Sequence, residues 1–414
     1  MPKINITEID KTTPVAATPS TEIVFIPGFS AKTDAPIDTP TLCYTVDEFT
    51  AAFGDVAPTF AVDQEYPTKF PDASIPKTDT VKDKMFKSGD SDPSYVIAIE
   101  LLNAGIPVLY SKANATVTVE NMYKYLGTAY AKFSNINDYD LMYLTSGGYP
   151  VLEYDSNSIA KSMVNAASTR GEAIALLDHT NNPARALTGT GSLFESIKTA
   201  AIDAEGYGAV FTAWRKYKSP IDEKTYVMPG SFSYLNCLAE SVKTNPSYLA
   251  IAGVTRGLVK NDAGQTTNAI LTNAIADTYQ PETGVSINGI TKVRPYGQVI
   301  WGNRTLKTNT KVLTATSYLN IRKLVCIIKK DLYAAATKCM FEQNSSILWI
   351  NFKSMVTPLL DQLSTSSGIT GYKLVQMPSD NPAKIVAKLT IYPIYAVEAF
   401  DITIELASDA TSIS

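Results

Sequence analysis

The sequence predicts an α/β protein joined to a smaller α+β domain, and three observations predict it. Between about residues 120 and 255, helical stretches alternate with short apolar strands, the pattern of crossover units on a mainly parallel sheet. Over the final hundred or so residues the order changes to two long amphipathic helices and then strands. The chain has 414 residues with 45% hydrophobic content, enough for two or three domains with substantial cores and too apolar for a mainly disordered chain.

Residues 1 to about 20 are polar, rich in Thr and broken by Pro14 and Pro19, and read as an extended arm. Residues 21–28 form a short apolar strand and 41–46 another, before a helix over 47–53 that Gly54 ends. From Asp55 to Asp90, Pro58, Pro67, Pro71 and Pro76 stand among acids, lysines and small polar residues, which predicts a long, outward-facing surface excursion. Asp92-Pro93-Ser94 is a helix cap with Pro at the first helical position; the helix runs to Asn103, and a strand follows over 106–111. The alternating region places helices at 120–133, 156–168, 192–204 and 231–243 among strands at 141–145, 173–177 and 209–213.

After a polar stretch over 260–282, residues 320–341 put Ile321, Leu324, Val325, Ile328, Leu332, Ala335 and Cys339 on one helical face. Arg322, Lys323, Lys329 and Lys330 fall opposite, which predicts one packed and one cationic face. Residues 347–363 form a second amphipathic helix with Pro358 as a kink, stopped by Gly368 and Gly371. Strand-like runs follow at 372–377, 385–392 and 400–406. In the last, Ile402, Ile404 and Leu406 alternate strictly with Asp401, Thr403 and Glu405.

Lys plus Arg number 36 and Asp plus Glu 40, a net charge of −4 without any basic block, so the chain lacks the concentrated cationic surface that nucleic acid requires. Lys3 and Glu8 stand where a signal peptide would be apolar, and no run long enough to cross a membrane follows; synthesis in the cytoplasm without membrane insertion is expected. Cys43, Cys237, Cys326 and Cys339 are far apart and read as reduced, packed thiols. His179 is the only histidine, which argues against most first-row metal chemistry.

A Ser-His-Asp triad needs one histidine, but Asp178 and His179 are adjacent on a strand and point to opposite faces, and no G-x-S-x-G elbow occurs. His179 reads as a hydrogen-bonded residue at a strand end. Gly189-Thr190-Gly191-Ser192 lacks the third glycine of a dinucleotide loop and reads as a helix cap; Asp138 and Asp140 read as solvated turn acids. With no phosphate loop either, no catalytic residue, metal or cofactor is assigned.

From about residue 170 onward seven segments in order resemble the tail sheath proteins of contractile phage tails and related contractile injection systems. They are Leu176-Leu177-Asp178-His179, Met228-Pro229-Gly230-Ser231, Ala252-Gly253-Val254-Thr255-Arg256-Gly257, Ser286-Ile287-Asn288-Gly289-Ile290, and Ile300-Trp301-Gly302-Asn303-Arg304-Thr305-Leu306. Then come Leu319-Asn320-Ile321-Arg322-Lys323-Leu324 with Phe341-Glu342-Gln343-Asn344 and Trp349, and finally Pro393-Ile394-Tyr395-Ala396-Val397-Glu398-Ala399-Phe400. The family pattern has Arg at position 323 and Pro at positions 289 and 343, and the first 150 residues match it only loosely. A packing role for these residues would pair Arg304 with a nearby carboxylate and put Trp301 and Trp349 in cores.

The resemblance implies a linking arm over 1–20, a β-containing region over 21–118, a subtilisin-like α/β domain over 119–308, an inner α+β domain over 309–397 facing a tube, and a linking strand over 398–414. It also implies a subunit that polymerises helically in six-fold rings, the arm strands around Ile4, Ile6, Phe400, Ile402, Ile404 and Leu406 pairing with sheets of neighbouring copies. Its implied partners are an inner tail tube, met through Arg322, Lys323, Lys329 and Lys330, and baseplate and tail terminator proteins, in a virion tail assembled in the host bacterial cytoplasm. The competing readings are a hydrolase on the α/β fold and a non-contracting tail or capsid subunit.

Overall fold

Unbroken apolar runs such as Val24–Gly28 and Ile174–Leu177 carry no alternation, so they can be strands only where both faces of a sheet are covered. The computed structural model describes residues 22–70, 84–182, 191–265, 279–281, 284–309 and 312–398 and places these runs in such a sheet. In chain order its strands are β1 (Val24–Gly28), β2 (Thr41–Cys43), β3 (Gln64–Glu65), β4 (Lys84–Phe86), β5 (Val108–Lys112), β6 (Tyr143–Leu144), β7 (Ile174–Leu177), β8 (Gly208–Thr212), β9 (Arg215–Lys218), β10 (Thr225–Met228), β11 (Asp262–Gln265), β12 (Asn288–Val293), β13 (Gly297–Trp301), β14 (Ile369–Met377) and β15 (Val386–Pro393). The helices are α1 (Val46–Phe53), α2 (Pro93–Asn103), α3 (Val119–Ala129), α4 (Ser158–Arg170), α5 (Leu193–Ala200), α6 (Gly230–Val242), the single turn α7 (Gly253–Arg256), α8 (Leu319–Cys339) and α9 (Ser346–Thr365). The arm positions Ile4, Ile6, Phe400, Ile402, Ile404 and Leu406 lie outside the described residues.

The main sheet has eight strands in the order β13-β12-β8-β7-β6-β1-β5-β2, parallel from β12 to β5 with antiparallel edges. The expected boundary at 118/119 is therefore corrected: the first hundred residues supply β1, β2 and β5 to the same sheet as β6, β7 and β8, and no separate N-terminal domain forms. The helix starts follow their caps, with Thr45 accepting from the Glu48 amide, Asp92 from Ser94, Thr118 from Asn121 and Ser192 from Glu195.

The excursion after Asp55 is also corrected where it is described. Phe60, Tyr66, Phe70 and Met85 are buried, Phe60 stacks on Phe86 at 4.8 Å, and Phe70 meets Tyr123 and Tyr154 edge-on. The prolines break secondary structure there, but four large side chains spaced without periodicity still tie the loop to the core.

The C-terminal part is a thinner layer. The helices α8 and α9 pack on each other, and β14 and β15 form a separate antiparallel pair against α9. Leu348, Val356, Leu360 and Leu363 are the only buried side chains of α9.

Phe60→Ala should lower unfolding stability by about 3–5 kcal/mol in urea titration, the cost of truncating a fully buried aromatic ring. A loss within about 0.5 kcal/mol would mean that this segment faces solvent after all.

Candidate functional site

In an open parallel sheet, ligands bind beyond the carboxyl ends of the strands where the strand order reverses. Here the reversal lies at β1, with β5 on one side and β6 on the other. That crevice is filled. Asp92, fully buried, accepts from the Phe29 amide (3.1 Å), the Ser94 hydroxyl and the Tyr149 hydroxyl (2.6 Å), while Tyr110 donates to the Phe29 carbonyl (2.7 Å). Gly147 adopts φ +67, and a Cβ there would lie 2.3 Å from the Pro27 carbonyl oxygen, so chain packs directly against chain. Burial raises the Asp92 carboxyl above its ordinary range against the pull of these donors.

One strand further, Asp178 accepts from the Ser231 hydroxyl (2.8 Å) and amide (3.3 Å) and from the Ser146 hydroxyl (3.4 Å), all buried. Its carboxyl is pushed up to about 7 by burial, which the Ser231 and Ser146 bonds oppose. His179 takes no part. Its Nδ1 faces the Thr180 carbonyl (2.7 Å) and must carry the proton, so Nε2 accepts from Thr212 (2.9 Å), and burial pushes the ring down to about 4. A catalytic triad needs the imidazole between carboxylate and hydroxyl, and here Asp178 binds Ser231 directly.

The cationic face expected on residues 320–341 is corrected. Arg322 and Lys323 are buried: Arg322 donates to the carbonyls of Gly206 (2.9 Å) and Glu205 and lies over the Tyr207 ring at 4.1 Å. Lys323 Nζ forms an ion pair with buried Glu22 at 2.9 Å, and burial lowers its pKa against the pull of that carboxylate. Lys329, though exposed, donates to Tyr207 (2.9 Å), and Lys330 pairs with Asp140 (2.5 Å) and the Leu141 carbonyl (2.9 Å). All four fasten α8 to the main sheet. The helical wheel separates apolar from basic positions correctly, but the basic side meets a second body instead of water.

Three motif residues come together across the chain. The buried Asn288 side chain donates to the carbonyls of Val210 (3.1 Å) and Arg304 (2.8 Å) and accepts from the Arg304 amide (2.7 Å), clipping β8, β12 and the segment after β13. Arg304 holds Glu398 through two donors, Nε at 3.1 Å and Nη2, and lies 4.6 Å from the Tyr318 ring. Tyr318 in turn meets Tyr395 edge-on at 5.1 Å. The carboxylate partner of Arg304 is thus 94 residues away and stands directly before the last strand-like run. Neither tyrosine was singled out by sequence, since a ring over a guanidinium leaves no spacing signal.

The other motif residues stay apart. Trp301 ends β13 half-exposed, Trp349 is partly buried beside Phe352, Glu342 is exposed, and Phe341 is 100% exposed at φ 66 in the turn between α8 and α9. The expectation that Trp301 fills a core is corrected by its 51% exposure.

The β14–β15 sheet has two strands, so each outer edge lacks a described strand partner. Around it Met377, Tyr392, Ile394, Tyr395 and Val397 are exposed. Among the described residues no helix is long and apolar enough to cross a membrane, and no three His, Cys, Asp or Glu are placed to hold a metal.

No protein-family model matches the sequence. The tail sheath protein of Vibrio phage KVP40 is 28% identical over 102 residues, which are 25% of this chain and 15% of that protein. The chain thus covers far less than two thirds of this curated relative. Across its whole length it is similar to a chain of the contracted PVC sheath complex of an extracellular contractile injection system, with TM-score 0.63, 16% identity, and 99% and 98% of the two chains covered. It is similar also to a chain of the six-fold symmetrised baseplate of the anti-feeding prophage, with TM-score 0.64, 14% identity, and 98% and 99% covered. The fold is therefore that of contractile-sheath subunits, as the seven motifs imply.

Asp178 and His179 act on stability with opposite signs. Between about pH 4 and 7 the folded protein keeps a proton on Asp178 that an unfolded carboxyl has released, so stability falls as pH rises; His179 refuses below about 6.5 a proton the unfolded chain accepts, so stability falls as pH drops toward 4. Over the shared window the slopes offset. His179→Gln should leave the Asp178 slope uncovered, the melting temperature falling steadily from pH 4.5 to 7; a profile parallel to the wild type would contradict this assignment.

Proposed function

We propose that the protein is the structural subunit of a contractile tail sheath, polymerising helically in stacked six-fold rings around an inner tube and shortening to drive the tube through a target cell envelope. The observation that carries this reading is the unfinished β14–β15 sheet beside exposed apolar side chains. An isolated two-stranded sheet is marginal in water, and a strand lent by another copy would supply main-chain hydrogen bonds worth about 0.5–1.5 kcal/mol each.

The division of labour follows from the ion pairs. Basic residues of α8 lock the C-terminal module to the sheet, so each subunit moves as one body. The lending segments leave that body at Glu22, held by Lys323, and at Glu398, held by Arg304, and these are the hinge roots. Contraction then repacks whole bodies while the linking strands persist, driven by contact between bodies and not by a nucleotide.

The implied tube partner would meet the module of residues 319–398, which carries nine basic and five acidic residues against a net charge of −4 for the whole chain. With Arg322, Lys323, Lys329 and Lys330 engaged by the sheet, exposed Lys338 and Lys353 are the helix cations without a partner among the described residues. Baseplate and terminator proteins would cap the ends of a tail assembled in the bacterial cytoplasm. With Asp178 bound directly to Ser231 and His179 engaged elsewhere, a mechanical role without catalysis is the reading the carboxyl edge supports.

Deleting residues 1–18 should give a folded, soluble protein with an unchanged melting temperature that forms no sedimentable polymer. Normal polymerisation of that deletion would refute the arm mechanism.

A further inference from the structure

Facing residues of an antiparallel pair share a sheet face, and alternate residues point to opposite faces. In the β14–β15 register Tyr372 faces Ile391 and Leu374 faces Leu389, and these four pack toward the core, with the Tyr372 hydroxyl donating to Asp361 on α9 at 2.8 Å. Lys373 faces Thr390 and Lys388 faces Val375, so both lysines belong to the other face, turned away from the helices. Both are exposed, and neither joins an ion pair among the described residues.

The two chain ends differ in charge. Residues 1–20 hold Lys3 and Lys11 against Glu8 and Asp10, a balance of zero, whereas residues 399–414 hold Asp401, Glu405 and Asp409 with no Lys or Arg. In the run 400–406 both acids share a parity opposite to Ile402, Ile404 and Leu406. If the apolar parity continues the packed face of the β14–β15 sheet, the acids must emerge on the face of the lysines.

We propose that residues 400–406 of one copy add to an open edge of the β14–β15 sheet in a second copy, with Ile402, Ile404 and Leu406 toward the helices and Asp401 and Glu405 on the outer face beside Lys373 and Lys388, which select this segment and its facing by charge. The inference rests on the strand-lending reading above and adds what distinguishes the acidic segment from the balanced one. A slip by one residue would drive the acids onto Tyr372, Leu374, Leu389 and Ile391, so charge and apolarity reject the same wrong register.

The test compares the full chain with four variants: Asp401→Lys with Glu405→Lys, Lys373→Glu with Lys388→Glu, all four changes together, and a deletion of residues 399–414. The readout is the critical concentration for sedimentable polymer at low salt, with melting by circular dichroism as the control for folding. Each two-site reversal should raise the critical concentration about tenfold or more, and the fourfold swap should return it to within about threefold of wild type. Reversals within about twofold of wild type, or a fourfold swap that restores nothing, would overturn charge selection even where the deletion fails to polymerise. Normal polymerisation of the deletion would instead remove the strand-lending reading itself.

Discussion

Every main-chain N–H and C=O along a strand needs a partner, and a sheet of two strands leaves one row unmet on each side. In this protein the nine residues of β14 and the eight of β15 form such a sheet, attached to an otherwise well-covered body. The rest of the account follows from that shortfall. Edges shielded by charge alone would remain an aggregation hazard, whereas edges matched to a strand of the same chain become an addressable joint.

A joint of this kind is useful only if what lies on either side is stiff. Stiffness here comes from buried polar contacts that fix one packing. Asp92 ties the loop after β1 to α2 and Tyr149; Asp178 ties β7 to α6; Asn288 clips two strands to the Arg304 segment. Each is satisfied by main-chain or hydroxyl donors, so breaking one leaves a buried group unpaired. The same contacts occupy the crevice where an α/β enzyme would hold its ligand. The fold's binding edge has thus become a structural seam.

The sheet was legible because its parallel strands are continuous apolar runs, and the helix starts because Thr45, Asp92, Thr118 and Ser192 leave a local signature. What escaped was long-range. Phe60, Tyr66, Phe70 and Met85 are spaced without a period, so the prolines around them dominated the reading. Arg322 and Lys323 fall on the polar side of a helical wheel, and nothing local reveals that Glu22 and the Glu205 and Gly206 carbonyls wait there. The motif resemblance flagged Asn288, Arg304 and Glu398 one at a time; only the fold joins them, through a guanidinium that reaches 94 residues down the chain.

Hydrogen exchange at the amides of β14 and β15, read in the free subunit and in the polymer, tests the central claim most directly. Outward-pointing amides of those strands should exchange quickly in the free subunit and become protected on polymerisation, while inward-pointing amides paired between Tyr372 and Ile391 stay protected in both. Equal protection of the outward amides in both states would show that the sheet is already complete within one chain and that no strand is lent.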